Sequence, residues 1–204
     1  MRSIITGGLP GSVQINGEAV PINTDFRSWI DTWRLLDRKD VDINKQISAI
    51  IALLFSREGK SPTPYQIAMS EPEDALNAVF LFLARKTEHE PERPKTLRER
   101  KISKLRIFDW DYDSERVIAD FQREYNLDIT DPSTSIHWFR FMALFNGLSD
   151  SSRTIEAIQT RAADLEDKNL SKEEKKALRE KKTILMLPAR TNEEAVANSR
   201  LRGE

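Results

Sequence analysis

Along this chain apolar residues fall in short bursts of helical spacing separated by polar breaks, except near the N-terminus. There Val13 and Ile15 alternate with Gln14, Asn16-Gly17 supplies two residues suited to positive φ, and Val20 with Ile22 forms the return. That pattern predicts a β-hairpin, with Pro21 confining its second strand to an edge. A lone hairpin is marginal in water, so it is expected to lean on the next helix along the chain. Phe26, Trp29, Ile30, Trp33 and Leu36 recur at intervals of three and four, the stripe of an amphipathic helix, and Thr24 or Asp25 can cap it. Asp42 opens a second helix with Ile43, Ile47, Ile50, Ile51 and Leu54 on one face. Residues 57–64, rich in Gly, Ser and Pro, read as loop. Ser70-Glu71-Pro72-Glu73 reads as a capping box that starts a helix through Ala75, Leu76, Val79, Phe80 and Leu83.

The second half repeats this grammar. Asp113 or Ser114 can cap a helix carrying Val117, Ile118, Phe121 and Tyr125, which ends near Asn126. Ile136, Phe139, Met142, Leu144 and Phe145 mark another, and Ile155, Ile158 and Ala162 a third. Ser171 with Glu174 forms a capping box opening a lysine-rich helix that stops before Pro188. The expected fold is mainly α, a helical domain of six to seven helices with a small N-terminal β-hairpin. Its expected divisions are 1–84 (hairpin plus helices), 85–106 (a charged connector), 107–188 (a C-terminal helical part packed with the first) and 189–204 (a disordered tail).

Composition narrows the function. The 204 residues carry 32 basic and 33 acidic side chains, so no global charge draws the chain to nucleic acid or anionic lipid. No cysteine is present, which excludes disulfides, thiolate nucleophiles and Cys-bound zinc, and two histidines leave little imidazole chemistry. No apolar run approaches the roughly 20 residues of a membrane span. Locally the charge is uneven. Residues 85–106 hold nine basic against four acidic side chains, and residues 109–131 hold eight acidic against two basic.

Three features invite chemistry. In Phe108-Asp109-Trp110-Asp111-Tyr112-Asp113 the spacing of carboxylates resembles the start of a calcium loop, but Ser114 stands where the sharp turn needs Gly, and Asp120 where a bidentate Glu belongs. The alternation fits a half-buried extended segment better, with aromatics on one face and carboxylates on the other, facing a basic segment of this chain or a neighbour. Paired acids could split their pKa values for acid–base work, yet no companion His, phosphate cradle or nucleophile elbow accompanies them. His137 beside Trp138 reads as a packed histidine. The basic stretch 93–106 could neutralise phosphates but lacks interleaved aromatics for single-strand stacking. No enzyme, cofactor or metal site is expected. Opposed local charge favours a protein partner or self-association. The residues expected to carry such contacts are Asp109, Trp110, Asp111 and Trp138, with Arg98, Arg100 and Lys101 of the connector.

Three stretches together carry a resemblance. They are Asn23-Thr24-Asp25-Phe26-Arg27-Ser28-Trp29-Ile30, then Arg106-Ile107-Phe108-Asp109-Trp110-Asp111-Tyr112-Asp113, then the aromatic run from Ile136-His137-Trp138-Phe139 to Asn146-Gly147-Leu148. In order and spacing, with Leu187-Pro188 after them, they resemble the bacteriophage "gp fifteen" family of siphophages and prophages of Gram-positive bacteria. The resemblance implies a tail-assembly chaperone, because members are usually encoded between the major tail protein and the tape measure. Such a protein coats the tape-measure helix until tube subunits polymerise around it, self-associates, and is absent from the finished virion. The implied partners are the tape-measure protein, tail tube subunits and further copies of itself, with no membrane, in the cytoplasm of the bacterial host. The alternatives are a structural protein of the tail and a small nucleic-acid-binding regulator acting through residues 93–106.

Overall fold

Tight turn chemistry sets the first element. Asn16 and Gly17 take φ of 48° and 76°, the paired left-handed conformation of a two-residue hairpin turn. It joins strand β1 (Ser12–Ile15) to β2 (Glu18–Pro21) in an antiparallel ladder that pairs Val13 with Val20 and Ile15 with Glu18. Val13, Ile15 and Val20 point inward and are buried. This computed structural model describes residues 8–38, 40–84 and 105–203. Connector residues 85–104, including Arg98, Arg100 and Lys101, lie outside the described residues.

Nine helices are described: α1 (Phe26–Asp37), α2 (Ile43–Leu54), α3 (Pro64–Ser70), α4 (Pro72–Leu83), α5 (Ser114–Tyr125), α6 (Trp138–Asn146), α7 (Arg153–Ala162), α8 (Lys172–Leu185) and α9 (Asn192–Arg202). The protein is mainly α with a small N-terminal hairpin, as its periodicity predicts. Two helices exceed the expected count. One is α3, whose capping box joins Thr63 to Gln66 with Pro64 in the first turn, inside and beyond the stretch read as loop. The other is α9, in the segment expected to be a disordered tail; Thr191 caps its start and Gly203, at φ 82°, ends it.

The described residues group into two units, one within 1–92 and 132–146, the other within 93–131 and 147–204. The division is not the linear one expected, because α6 belongs with the N-terminal elements. In the first unit the hairpin packs chiefly on α4, through β1, rather than on α1. The Asn16 N–H also donates to the Asp74 carboxylate at the start of α4. The cap of α4 is Glu71 without a side-chain bond, and Ser70, expected as its cap, closes α3 instead.

Aromatic stacking builds the core of this unit. Trp29 lies on Phe82 at 4.6 Å between ring centroids, Phe26 on Phe141 at 4.5 Å, and Phe82 against Phe139 at 4.7 Å. Burying each such ring stabilises by roughly 1.5–3 kcal/mol, and favourable ring geometry adds about 0.5–1.5 per pair. In the second unit α5 packs on α7, α7 on α8, and α8 on α9.

Candidate functional site

The first of the resembling stretches meets the third. Asp25 and His137 form an isolated antiparallel bridge, in which Phe26 N–H donates to Ile136 O at 2.9 Å and Trp138 N–H to Thr24 O at 2.7 Å. The starts of α1 and α6 are thereby locked together. Asp25 caps α1 by accepting from Arg27 N–H at 3.0 Å, and the Arg27 guanidinium reaches Thr134 O at 2.7 Å. His137 performs the equivalent task for α6, its Nδ1 accepting from Phe139 N–H at 3.0 Å. An Nδ1 that accepts carries no proton, so Nε2–H is the donor to Pro10 O at 2.8 Å. His137 is a structural cap.

Trp138, expected at a partner surface, is 1% exposed and stacks toward Trp29 at 6.1 Å and Phe141 at 6.0 Å. It is a core residue, because its helix enters the unit through the bridge and turns this face inward. Its indole N–H has no hydrogen-bond partner among the described residues. Trp29, by contrast, donates from Nε1 to Asn23 O at 2.8 Å. The tryptophan that does face solvent is Trp33, 47% exposed although it lies on the predicted apolar stripe of α1. On the same helix Thr32 is fully buried, its hydroxyl bonded to Ser28 O at 2.8 Å. Ile43 and Phe80 of this unit are also exposed.

In the second unit the aromatic–acidic motif is a turn rather than an extended segment. Asp109 Oδ1 accepts from the Asp111 and Tyr112 N–H groups at 2.9 and 3.0 Å, and Asp113 N–H donates to Asp109 O at 2.9 Å. The chain therefore curls, and the carboxylates that point inward are four apart, not two. Asp109 and Asp113 are buried, Asp111 is exposed, and Trp110 is half-buried with its ring edge-on to Phe108 at 4.7 Å.

Each buried acid has arginine partners from this chain. Asp113 sits at the cap position of α5 but makes no capping bond. Its two oxygens instead take a fork from Arg161, Nη1 at 2.6 Å and Nη2 at 2.9 Å, plus Arg116 Nη1 at 2.8 Å. Arg161, itself 8% exposed, also donates to Ile107 O and Leu185 O, so one guanidinium ties together three segments of the unit. Asp109 Oδ2 takes Arg106 Nη1 at 2.5 Å and Arg190 Nη2 at 2.6 Å. Burial pushes the Asp109 carboxyl up, but the Tyr112 and Asp111 N–H groups and the Arg190 and Arg106 charges outweigh it, holding the group below its ordinary value. Glu194 on α9 is likewise held low, first by its hydrogen bond from Arg106.

The acids of α5 continue the pattern. Fully buried Asp120 accepts from Thr154 N–H at 2.8 Å and Arg153 N–H at 3.3 Å, the orphan donors at the start of α7, and pairs with Arg123 at 2.8 Å. Glu124 receives the Ser149 N–H and hydroxyl, each at 2.9 Å. Asp113 thus grips the C-terminal end of α7 through Arg161 while Asp120 holds its N-terminal end, so α5 and α7 run antiparallel along an acidic seam.

This arrangement does structural work. Asp109 and Asp113, filled by guanidinium and backbone N–H donors, each already accept four hydrogen bonds within the chain. Among the described residues no group of three His, Asp or Glu is placed to hold a metal ion. Of the residues expected to meet a partner, Asp109 is occupied within the chain, Trp138 is in the core, and Trp110 and Asp111 remain at or near the surface. Sequence reasoning missed Arg161, Arg190 and Glu194, whose oppositely charged partners are distant in sequence and leave no local motif.

The described residues thus form a helical protein with an aromatic core in one unit and a buried acid–arginine seam in the other. Comparison with family models matches residues 5–187 to the family described as Bacteriophage Gp15 protein. The chain belongs to that family and is a bacteriophage protein, of a structural or morphogenetic kind. No curated protein and no solved structure matches it. Among the described residues no helix is long and apolar enough to cross a membrane.

Proposed function

We propose that this protein is a tail-assembly chaperone that binds the tape-measure protein during tail morphogenesis, acting by covering a partner's apolar surface without catalysis. Membership of the Bacteriophage Gp15 protein family over residues 5–187 carries the reading. The surface supports it. Trp33, Ile43 and Phe80 leave large apolar side chains open on helices of one unit, which suits contact with the apolar stripe of another helix. A long helical target would engage many copies at once, so weak individual contacts add through avidity. The site of action is the cytoplasm of the bacterial host, and self-association along the target is part of the reading.

Co-expression tests it. A tagged copy retains a co-expressed tape-measure fragment through purification at low and moderate salt; failure to retain any fragment under both conditions contradicts the proposal. The structural alternative, a protein kept in the tail, is separated by mass spectrometry of purified particles. Absence from particles supports the chaperone, and a fixed stoichiometry there supports the tail protein.

A further inference from the structure

The family match ends at residue 187, yet the chain continues into α9, and the segment beyond Leu187 returns to the aromatic–acidic turn. Arg190 Nη2 lies 2.6 Å from Asp109 Oδ2, and the Arg106 guanidinium donates to both oxygens of Glu194 at 3.1 Å. Arg190 N–H also donates to Glu194 at 2.7 Å, and Asn198 Nδ2 to Leu187 O at 3.0 Å. The segment therefore meets the turn as a crossed pair, base to acid and acid to base. No residue of α9 is buried, and the Arg190 side chain is 43% exposed. Beside α9 a groove of about 360 Å³ stays open, lined by Tyr112, Leu187, Ala195, Asn198, Ser199 and Arg202. An element held by partly exposed ion pairs over an open groove is screened by salt and lacks the apolar burial that makes docking permanent. Leu187, 6% exposed, anchors the chain where the segment departs, and Met186 and Thr191 are extended, which gives a pivot between them.

We propose that residues 188–203 form a detachable strap, and that the Arg106–Asp109–Tyr112 surface beneath it accepts the same segment from a second copy of this chain. The geometry selects the occupant: this segment already supplies the complementary Arg and Glu four residues apart, and every copy carries both strap and surface. Exchange between copies makes no new contact, only the same contacts in trans, so it costs little beyond the loss of tethering. Tethering gives the strap a high effective concentration at its own site, which keeps dilute chains closed and lets crowded copies link. The inference does not rest on the proposed chaperone role, and its failure would leave that role untouched.

The test uses the full chain with Arg190→Ala and Glu194→Ala together, which loosens its own strap while leaving Arg106, Asp109 and Tyr112 in place. A fluorescent peptide of residues 188–203 is titrated by anisotropy against this variant and against the unaltered protein. The variant binds the peptide about tenfold or more tightly than the unaltered protein, whose site is already filled in cis. A peptide carrying the same two alanines binds neither. In the unaltered protein, raising salt from about 50 to about 500 mM speeds hydrogen exchange across α9 while α5 stays protected. Equal affinity for both proteins, no binding to the variant, or salt-indifferent exchange of α9 would each overturn the proposal.

Discussion

Arg161 and Asp113, 48 residues apart in sequence, meet as a buried two-pronged pair, with Nη1 2.6 Å from Oδ2 and Nη2 2.9 Å from Oδ1. Because both groups are desolvated, removing one partner strands a charge, and breaking such a pair costs about 3–5 kcal/mol. Arg161→Ala is therefore expected to destabilise the second unit by an amount in that range, read as a lower urea midpoint at unchanged slope. Arg161→Lys does not restore it, since an ammonium cannot make the fork or reach Ile107 O and Leu185 O at once.

The two buried tryptophans of the first unit give a matched comparison. Trp29→Phe removes a ring and leaves Asn23 O without its donor, whereas Trp138→Phe removes a ring and an N–H that has no partner among the described residues. The Trp29 substitution is expected to cost about 0.5–1.5 kcal/mol more than the Trp138 one, the usual net worth of a hydrogen bond. Chemical denaturation of the two variants, followed by circular dichroism, checks the order.

Acid is expected to loosen the turn and its strap. Asp109 and Glu194 have folded pKa values below the ordinary 3.8 and 4.5, so in that region the unfolded chain binds more protons than the folded one. Their stabilising contribution is complete above those ordinary values and declines as pH falls through the lower folded ones. The exchange protection of α9, taken relative to the intrinsic amide rate at each pH, reads this directly and is expected to fall between neutral pH and about pH 3. In the variant Asp109→Asn the acid sensitivity shrinks.

At the hairpin, Gly17 sits at φ 76° with open space where a side chain would project. Gly17→Ala is thus penalised by backbone conformation alone, about 1–2 kcal/mol, with no clash to relieve. A thermal melt of the variant checks the size of the loss.

Elements announced by local chemistry were legible in the chain. The Asn16-Gly17 turn, the Asp42 cap and the Ser171 capping box each stand where the residues predict. Two further helices carried the same signals, Thr63 with Gln66 and Thr191 with Glu194, but proline-rich and tail-like surroundings masked them. What periodicity cannot supply is how far a covering element reaches. Trp33 shares the stripe of buried Phe26 and Trp29 and still faces solvent. Nor can alternation distinguish a strand from a turn. Asp109, Asp111 and Asp113 alternate as in an extended segment, yet Asp109 Oδ1 gathers the two N–H groups ahead of it and curls the chain. Two of the arginines that neutralise the buried acids, Arg161 and Arg190, come from 48 and 81 positions away, pairings that tertiary packing alone fixes.

Titration of a purified tape-measure fragment against this protein, alongside its Trp33→Ala variant, tests the account most directly. The unaltered protein is expected to bind saturably at low and moderate salt. The variant, having lost an exposed ring rather than a core one, is expected to keep its melting temperature and bind about tenfold more weakly, as for a tryptophan at an interface centre. Absence of saturable binding by the unaltered protein at either salt concentration would contradict it.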